Sequence, residues 1–185
     1  MTEKKNLTNV RLDDLINAIR TVHTDPLEQL ADAVVAGEHL GDVADALIGH
    51  GAQWAGSPRE VVDQVEVVLS MVFGPAQIAE VVRGEHGLLA GNCTGTTWID
   101  LTTSNPQLMR DLAAEFEAAG GYAVDSPVTG SIDSCIRGDM ILFVGGTDEA
   151  VARVRPVLDA IGVVRRVGGY GNGYVAKLVN NQLWF

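Results

Sequence analysis

Short apolar runs alternate with amphipathic helical segments from Gly51 to the end of this 185-residue chain. The first run, residues 65–72, is nearly continuous in apolar and β-branched residues, which is typical of a parallel strand buried on both faces. Strands separated by helices of 8 to 15 residues form βαβ units, so the pattern predicts an α/β fold with a mainly parallel sheet. The further predicted strands are residues 96–101, 122–125, 140–144 and 161–167.

The first fifty residues show no strand pattern. Their apolar positions recur at helical spacing, as in Leu12, Leu15 and Ile19. We therefore expect residues 1–50 to be an all-helical segment, with the α/β part beginning near Gly51.

Charge and cysteine content exclude several classes of function. The net charge of -11 and a pI of about 4.6 argue against nucleic acid as a partner, because an acidic surface repels phosphate. Cys93 and Cys135 are far apart, which gives neither a disulfide framework nor the spacing of a metal site. No apolar run approaches the roughly 18 residues of a membrane span. We expect no metal, no membrane partner and a cytoplasmic location.

Lys177 and Asn181 lie four residues apart in the final segment, which is predicted to be helical, and therefore share one side of it. In a cleft, the lysine could exchange a proton with a substrate oxygen while the asparagine held the same substrate by hydrogen bonds. A solvated polar face on an ordinary helix would show the same spacing. The pair alone does not decide between these interpretations.

The glycines before this helix allow a third interpretation. Gly171-x-Gly173-x-x-Ala176 follows a predicted strand and fits the dinucleotide-binding fingerprint. That fingerprint needs a further strand with an acidic residue about 20 positions on, and the chain ends at Phe185. The match therefore fails on its context.

Three loops follow predicted strands and are candidates for ligand binding. They are residues 73–75, 102–104 and 126–131. Ligands of parallel sheets bind beyond the carboxyl ends of the strands. The small and hydroxyl residues of these loops let a flat ligand approach the backbone, although a Ser or Thr before a helix also serves as a cap.

Five motifs, in order, resemble those of the 3-hydroxyisobutyrate dehydrogenase family of β-hydroxyacid dehydrogenases, which also contains reductases of tartronate semialdehyde and glyoxylate. The resemblance runs from about Gly51 to Phe185, and its dinucleotide domain is of the 6-phosphogluconate dehydrogenase type. The motifs are MVFGPAQI (71–78), IDLTTSNP (99–106), VDSPVTGS (124–131), GDMILFVGG (138–146) and GGYGNGYVAKLVNN (168–181).

The resemblance implies a role for four residues of the reaction site. Lys177 resembles the family's catalytic lysine, which protonates the carbonyl oxygen as hydride arrives from the nicotinamide. Asn181 resembles the partner that orients the substrate. Thr129 and Gly130 resemble the pair that binds the substrate carboxylate. Ser131 departs from the family's usual Ser-Gly-Gly at this point.

The resemblance also implies a cofactor, NAD or NADP. Thr103 resembles the threonine near its nicotinamide end, and Gln77 stands where a polar residue often contacts it. Val72 and Phe73 take the place of a Leu-Pro pair in the family, and the backbone of that pair touches the cofactor. Phe73 is a departure from that pair.

The family begins with a strand, a G-x-G-x-x-G turn and a helix, and no such turn precedes Gly51. We expect a partial Rossmann-type parallel sheet that lacks its first βαβ unit, in residues 51–167. Residues 168–185 are then the start of the catalytic inter-domain helix, with the family's C-terminal helical domain absent. Residues 1–50 faintly resemble the helical start of proteins related to the Clp amino-terminal domain. The chain is thus interpreted as a join of unrelated parts.

The resulting prediction of function is an NAD(P)-dependent oxidoreductase of a small β-hydroxyacid, truncated or fused and with impaired activity. The alternatives are a non-catalytic module with a partner-binding helical N-terminus, and a nucleotide site completed by another chain. Without the family's first strand, residues 65–72 become an open sheet edge. We therefore expect a homo-oligomer or self-association through that edge.

Overall fold

The computed structural model describes residues 53–183, so the predicted helices of residues 1–50 lie outside the described part. The chain divides into two units, Met1–Gly56 and Ser57–Phe185, and the fold given below is that of the second.

Strands and helices alternate along the second unit as the hydrophobic pattern predicts. A short 3-10 helix, Leu88–Ala90, follows the second helix. In chain order the remaining elements are α1 (Pro58–Val62), β1 (Val67–Ser70), α2 (Pro75–Arg83), β2 (Thr97–Asp100), α3 (Pro106–Ala118), β3 (Tyr122–Asp125), β4 (Val128–Thr129), α4 (Ile132–Arg137), β5 (Met140–Gly146), α5 (Asp148–Ile161), β6 (Gly162–Gly168) and α6 (Asn172–Gln182).

The six strands form one sheet in the order β1-β2-β3-β5-β4, with β6 paired to β5. β1, β2 and β3 are parallel, and so are β5 and β6. The predicted α/β class and its parallel strands are confirmed. Two antiparallel pairs, β3 with β5 and β4 with β5, were not predicted.

Alternation along the central strands places one apolar layer on each face of the sheet. Trp98 belongs to one layer, where its ring lies 5.8 Å from that of Phe116 on α3. Its neighbour Ile99 belongs to the other layer, which α5 covers. Both side chains are fully buried, as expected for a strand covered on both faces.

Side-chain caps begin the helices where the sequence places Ser, Asn or Thr. Ser57 accepts from the amide of Glu60 at the start of α1. Asn105 accepts from the amides of Gln107 and Leu108 at the start of α3. These caps set where each helix leaves its loop.

Two features bear on the predicted self-association through β1 and on the expectation of no membrane partner. Within residues 53–183, β1 pairs only with β2, and Leu69 on β1 is 45% exposed. In the same part of the chain, no helix is both long and apolar enough to cross a membrane.

Candidate functional site

Three polar residues end three adjacent parallel strands side by side. Ser70 of β1 pairs in register with Asp100 of β2, and Asp100 pairs with Asp125 of β3. Paired residues of neighbouring strands point to the same face, so their side chains form one row. All three are buried, and both carboxyl groups are fully so. Buried carboxyl groups at this edge require donors around them.

Asp100 accepts hydrogen bonds from three hydroxyl groups. The hydroxyl of Ser70 lies 2.6 Å from Oδ1 of Asp100, and that of Thr102 lies 2.7 Å from the same oxygen. The hydroxyl of Tyr174 on α6 donates to Oδ2. Nε1 of Trp98 in turn donates to the Ser70 oxygen at 2.8 Å. Burial raises the pKa of Asp100, and these hydrogen bonds oppose that rise.

Asp125 caps the helix α6 from the end of β3. The amide of Gly171 donates to its Oδ1 at 2.9 Å and the amide of Tyr174 donates to its Oδ2 at 3.3 Å. Burial raises the pKa of Asp125 to about 6, and hydrogen bonds from backbone amides limit the rise. A carboxyl group therefore occupies the helix start where the fingerprint reading of Gly171 and Gly173 would place a pyrophosphate. The carboxyl group of Asp125 is thus a physical reason against reading Gly171 and Gly173 as a dinucleotide fingerprint.

Lys177 follows the buried Tyr174 by nearly one turn of α6. A helix turns by about 100° per residue, so Lys177 is about 60° from buried Tyr174 and about 40° from Asn181. The lysine and Asn181 are both half-buried. Desolvation lowers the pKa of Lys177, and within residues 53–183 its ammonium makes no hydrogen bond or ion pair. Such an amine is more readily deprotonated than an exposed one.

A second contact holds α6 at the loop that carries Thr129. Nδ2 of Asn180 donates to the hydroxyl of Thr129 at 3.4 Å. Thr129 is half-buried and Gly130, with a φ of 150°, is exposed. The predicted substrate residues therefore lie beside the predicted catalytic helix, through Asn180 rather than through Asn181.

The other side of α6 is apolar and open to solvent. Val175, Leu178 and Val179 are 45%, 41% and 55% exposed.

The predicted cofactor residues lie in two adjacent loops. The amide of Val72 donates to the hydroxyl of Thr102 at 3.1 Å, which ties the loop after β1 to the loop after β2. Phe73 is 100% exposed, Gln77 is exposed and Thr103 is half-buried. Both loops lie beyond the carboxyl ends of parallel strands, where the ligands of such sheets bind.

Sequence reasoning missed four residues of this arrangement: Asp100, Asp125, Tyr174 and Asn180. Both aspartates were within quoted motifs: Asp125 is the last residue of a predicted strand, Asp100 is the last but one, and a hydroxyl-rich loop follows each strand. That position is the signal that could have found them. Tyr174 offers no such signal. Among the described residues, no cluster of His, Cys, Asp or Glu could hold a metal ion.

The parallel strands, with polar loops at their carboxyl ends and a helix pinned across them, define a nucleotide-binding α/β domain of the Rossmann type. Residues 27–171 match the family model described as the NAD binding domain of 6-phosphogluconate dehydrogenase, so the chain belongs to that family. The predicted family and its class of cofactor, NAD or NADP, are confirmed by this match. The match begins ahead of the predicted boundary near Gly51, which lies outside the described residues and stays a prediction.

Named relatives are similar over the same region. The chain is 36% identical over 138 residues to 3-hydroxyisobutyrate dehydrogenase of Pseudomonas aeruginosa, covering 74% of this chain and 46% of that protein. It is 30% identical over 142 residues to 2-hydroxy-3-oxopropionate reductase of Escherichia coli, covering 76% and 49%. The chain thus spans about half the length of these relatives.

A solved structure has the same fold. The Mycobacterium tuberculosis 3-hydroxyisobutyrate dehydrogenase with L-serine superposes with a TM-score of 0.71 at 27% identity. The likeness covers 83% of this chain and 54% of that one.

Proposed function

We propose that this chain carries the cofactor-side half of an NAD(P)-dependent oxidoreductase acting on a small β-hydroxyacid. One observation carries the proposal: α6 is pinned by its buried side to the carboxyl ends of β2 and β3, so the half-buried Lys177, which has no hydrogen bond or ion pair within residues 53–183, follows one turn later. The names of the similar proteins suggest 3-hydroxyisobutyrate or tartronate semialdehyde (2-hydroxy-3-oxopropionate) as the kind of substrate.

Lys177 is the proposed proton carrier. The bound nicotinamide supplies or accepts the hydride of this chemistry. In the direction of reduction, the Lys177 ammonium donates a proton to the carbonyl oxygen, and in oxidation the neutral amine takes the hydroxyl proton back. The lowered pKa of Lys177 supports both directions, because it brings the two protonation states closer in free energy.

The substrate is proposed to be held by Asn181, Thr129 and Gly130. Asn181 offers an amide on the same side of α6 as Lys177, and Thr129 and Gly130 offer a hydroxyl and a backbone amide for the carboxylate. The bond from Asn180 to Thr129 supports this, because it brings the two groups of residues together.

NAD or NADP is proposed to lie against Val72, Phe73, Gln77 and Thr103. The exposure of Phe73 and the bond that ties the two loops support this placement. The acidic or basic residue that selects between the two cofactors belongs to the second strand of the fold in this family type.

Three features of the whole protein are part of the proposal. The domain boundary is near Gly51, with residues 51–167 forming the dinucleotide-binding domain and 168–185 the start of the inter-domain helix. The protein is cytoplasmic. It associates with copies of itself through β1, whose pairing is limited to β2 within residues 53–183.

A titration with NADH and NADPH, followed by heat and by tryptophan fluorescence, tests the cofactor site. Saturable binding is expected, weakened by Thr103→Ala because the hydroxyl is lost. Gln182→Ala, on the exposed end of α6, is the matched control and should bind as the unchanged protein does. No binding of either cofactor at millimolar concentration would contradict the proposal and favour a non-catalytic module.

Turnover tests the lysine. With 3-hydroxyisobutyrate, tartronate semialdehyde and L-serine assayed separately, Lys177→Met should lower kcat by about 10²- to 10⁴-fold with cofactor binding unchanged, because only proton transfer is removed. An equal loss in Gln182→Ala would argue against a specific role for the lysine.

A further inference from the structure

Tyr174 is the largest side chain of α6 that the core encloses. It is 1% exposed and belongs to the apolar layer that contains Trp98 and Phe116. Its hydroxyl nevertheless reaches the carboxyl group of Asp100 at the end of β2. Apolar packing alone would be served by phenylalanine, so the hydroxyl has a separate purpose.

The residue is held at both of its ends. Its amide donates to Asp125 at the end of β3, and its hydroxyl donates to Asp100 at the end of β2. These two strand ends are paired in register. Contacts at the backbone and at the tip of one side chain define the rotation of a helix about its axis more tightly than either contact does alone.

Gly173, the residue before Tyr174, permits this close packing of α6. A Cβ at Gly173 would lie 2.3 Å from the carbonyl oxygen of Phe143 and 2.6 Å from Oδ2 of Asp125. The first turn of α6 is thus pressed against β5 and against the same carboxyl group that binds the Tyr174 amide.

The charged groups that face Tyr174 are Asp100 and Asp125, and both oppose ionisation of the phenol. Burial and the nearby Asp100 raise the pKa of Tyr174, so the hydroxyl keeps its proton. The phenol therefore remains the donor in its bond to Asp100. On the neighbouring helix α3, Arg110 binds the carbonyl of Tyr170 at 3.4 Å.

We propose that Tyr174 is a positioning residue for Lys177. Its hydroxyl, bound to Asp100, sets the rotation of α6 and thereby the direction in which the lysine ammonium, three residues later, points. This inference rests on the proposed function of Lys177, and it adds a residue that does not itself touch substrate or cofactor.

The variant Tyr174→Phe removes only the hydroxyl. Tyr170→Phe is the matched control: Tyr170 lies in the loop just before α6, and the variant removes a hydroxyl that is bound to Glu117 of α3. The lysines of the chain are Lys4, Lys5 and Lys177, so reductive 13C-methylation gives few lysine signals, and Lys177→Arg assigns the one of interest. The pH titration of that signal needs no enzyme activity.

In Tyr174→Phe, the pKa of Lys177 should rise toward its usual value, because a loosened helix exposes the ammonium. The kcat should fall about tenfold or more, while KM for the cofactor stays within about twofold. Tyr170→Phe should change neither quantity. A folded Tyr174→Phe with an unchanged Lys177 titration and unchanged kcat would overturn the inference.

Two further results distinguish a failure of the proposed function from a failure of the positioning role of Tyr174. If the unchanged protein has no turnover but the Lys177 signal still moves in Tyr174→Phe, the proposed function fails and the positioning role stands. Should Tyr174→Phe not fold, Asp100→Asn keeps an acceptor for the phenol while weakening the bond. It should then move the Lys177 titration in the same direction, and an unmoved signal would overturn the inference.

Discussion

Asp125 combines full burial with a position at the start of a helix, and the two influences oppose each other. The helix N-terminus and its amides favour the charged carboxylate, whereas burial favours the neutral acid. Burial prevails, and the pKa of Asp125 is about 6. The protonation of one residue is therefore linked to the stability of the fold near neutral pH.

The first prediction concerns this linkage. The pKa of Asp125 is higher in the folded than in the unfolded chain, so the folded state binds more protons between pH of about 4 and 6, and stability from this group falls as pH rises through that window. Relative to Asp125→Asn, the unchanged protein should lose on the order of 3 kcal/mol of unfolding free energy across the window and no more above it. Urea unfolding of both proteins from pH 4 to 7 measures the difference, and a flat difference would contradict the assignment.

The second prediction concerns Gly173. A Cβ there would lie 2.3 Å from the carbonyl oxygen of Phe143, and backbone cannot yield as a flexible side chain does. Gly173→Ala should therefore lower the free energy of unfolding by about 1–3 kcal/mol. Gly169→Ala is the control, since a Cβ at Gly169 meets nothing within 4 Å. Equal thermal shifts for the two variants would show that the crowding at Gly173 is relieved by movement of α6.

At the level of elements, α3 depends on the Asn105 cap. The Asn105 side chain accepts from two of the first amides of that helix, which otherwise lack partners. Asn105→Ala should cost about 1 kcal/mol. Gln107→Ala on the exposed first turn should stay within about 0.5 kcal/mol, and chemical unfolding compares the two. A larger loss for Gln107→Ala would mean that side chains of α3, rather than its cap, stabilise its start.

The elements that the sequence predicts well are those long enough to show an apolar run or a helical period. β3 was predicted at its observed bounds, each end of β1 differs by two residues, and β5 continues two residues beyond its predicted end. β4, with two residues, and α4, with six, were missed because they are too short to show a period. The antiparallel pairing of β5 with β3 was also missed, because strand direction depends on the path that residues 126–139 take back to the sheet.

The candidate site was predictable only in its residue types. The spacing of Lys177 and Asn181 left a site and a solvated face both open, and their roles came from the family resemblance, whereas the hydroxyl loops followed from their place after strands. That Asn180 is the residue bonded to Thr129 depends on the rotation of α6, which is set by Tyr174 and by two carboxyl groups distant in sequence. The rotation of α6 about its axis therefore cannot be predicted from the sequence of the helix itself.

For the whole molecule, the side of β1 that has no strand partner within residues 53–183 is the feature with the widest effect. Leu69 is 45% exposed, and the loop after β1 carries Met71, 67% exposed, and Phe73. An apolar edge of this kind recruits other chains. Leu69→Lys should shift sedimentation toward the monomer, because a charge on an edge strand opposes pairing, whereas Leu183→Lys at the end of α6 should not. A monomeric unchanged protein would contradict the proposed association.

The row formed by Ser70, Asp100 and Asp125 also limits how related sequences can change in length. Successive side chains of a strand point to opposite faces, so deleting a single residue inside β2 would turn the carboxyl group of Asp100 into the opposite layer, away from Tyr174. Insertions and deletions should therefore be tolerated in the connecting loops and rejected within these three strands, and a library of one-residue deletions scored for folded protein would map that boundary.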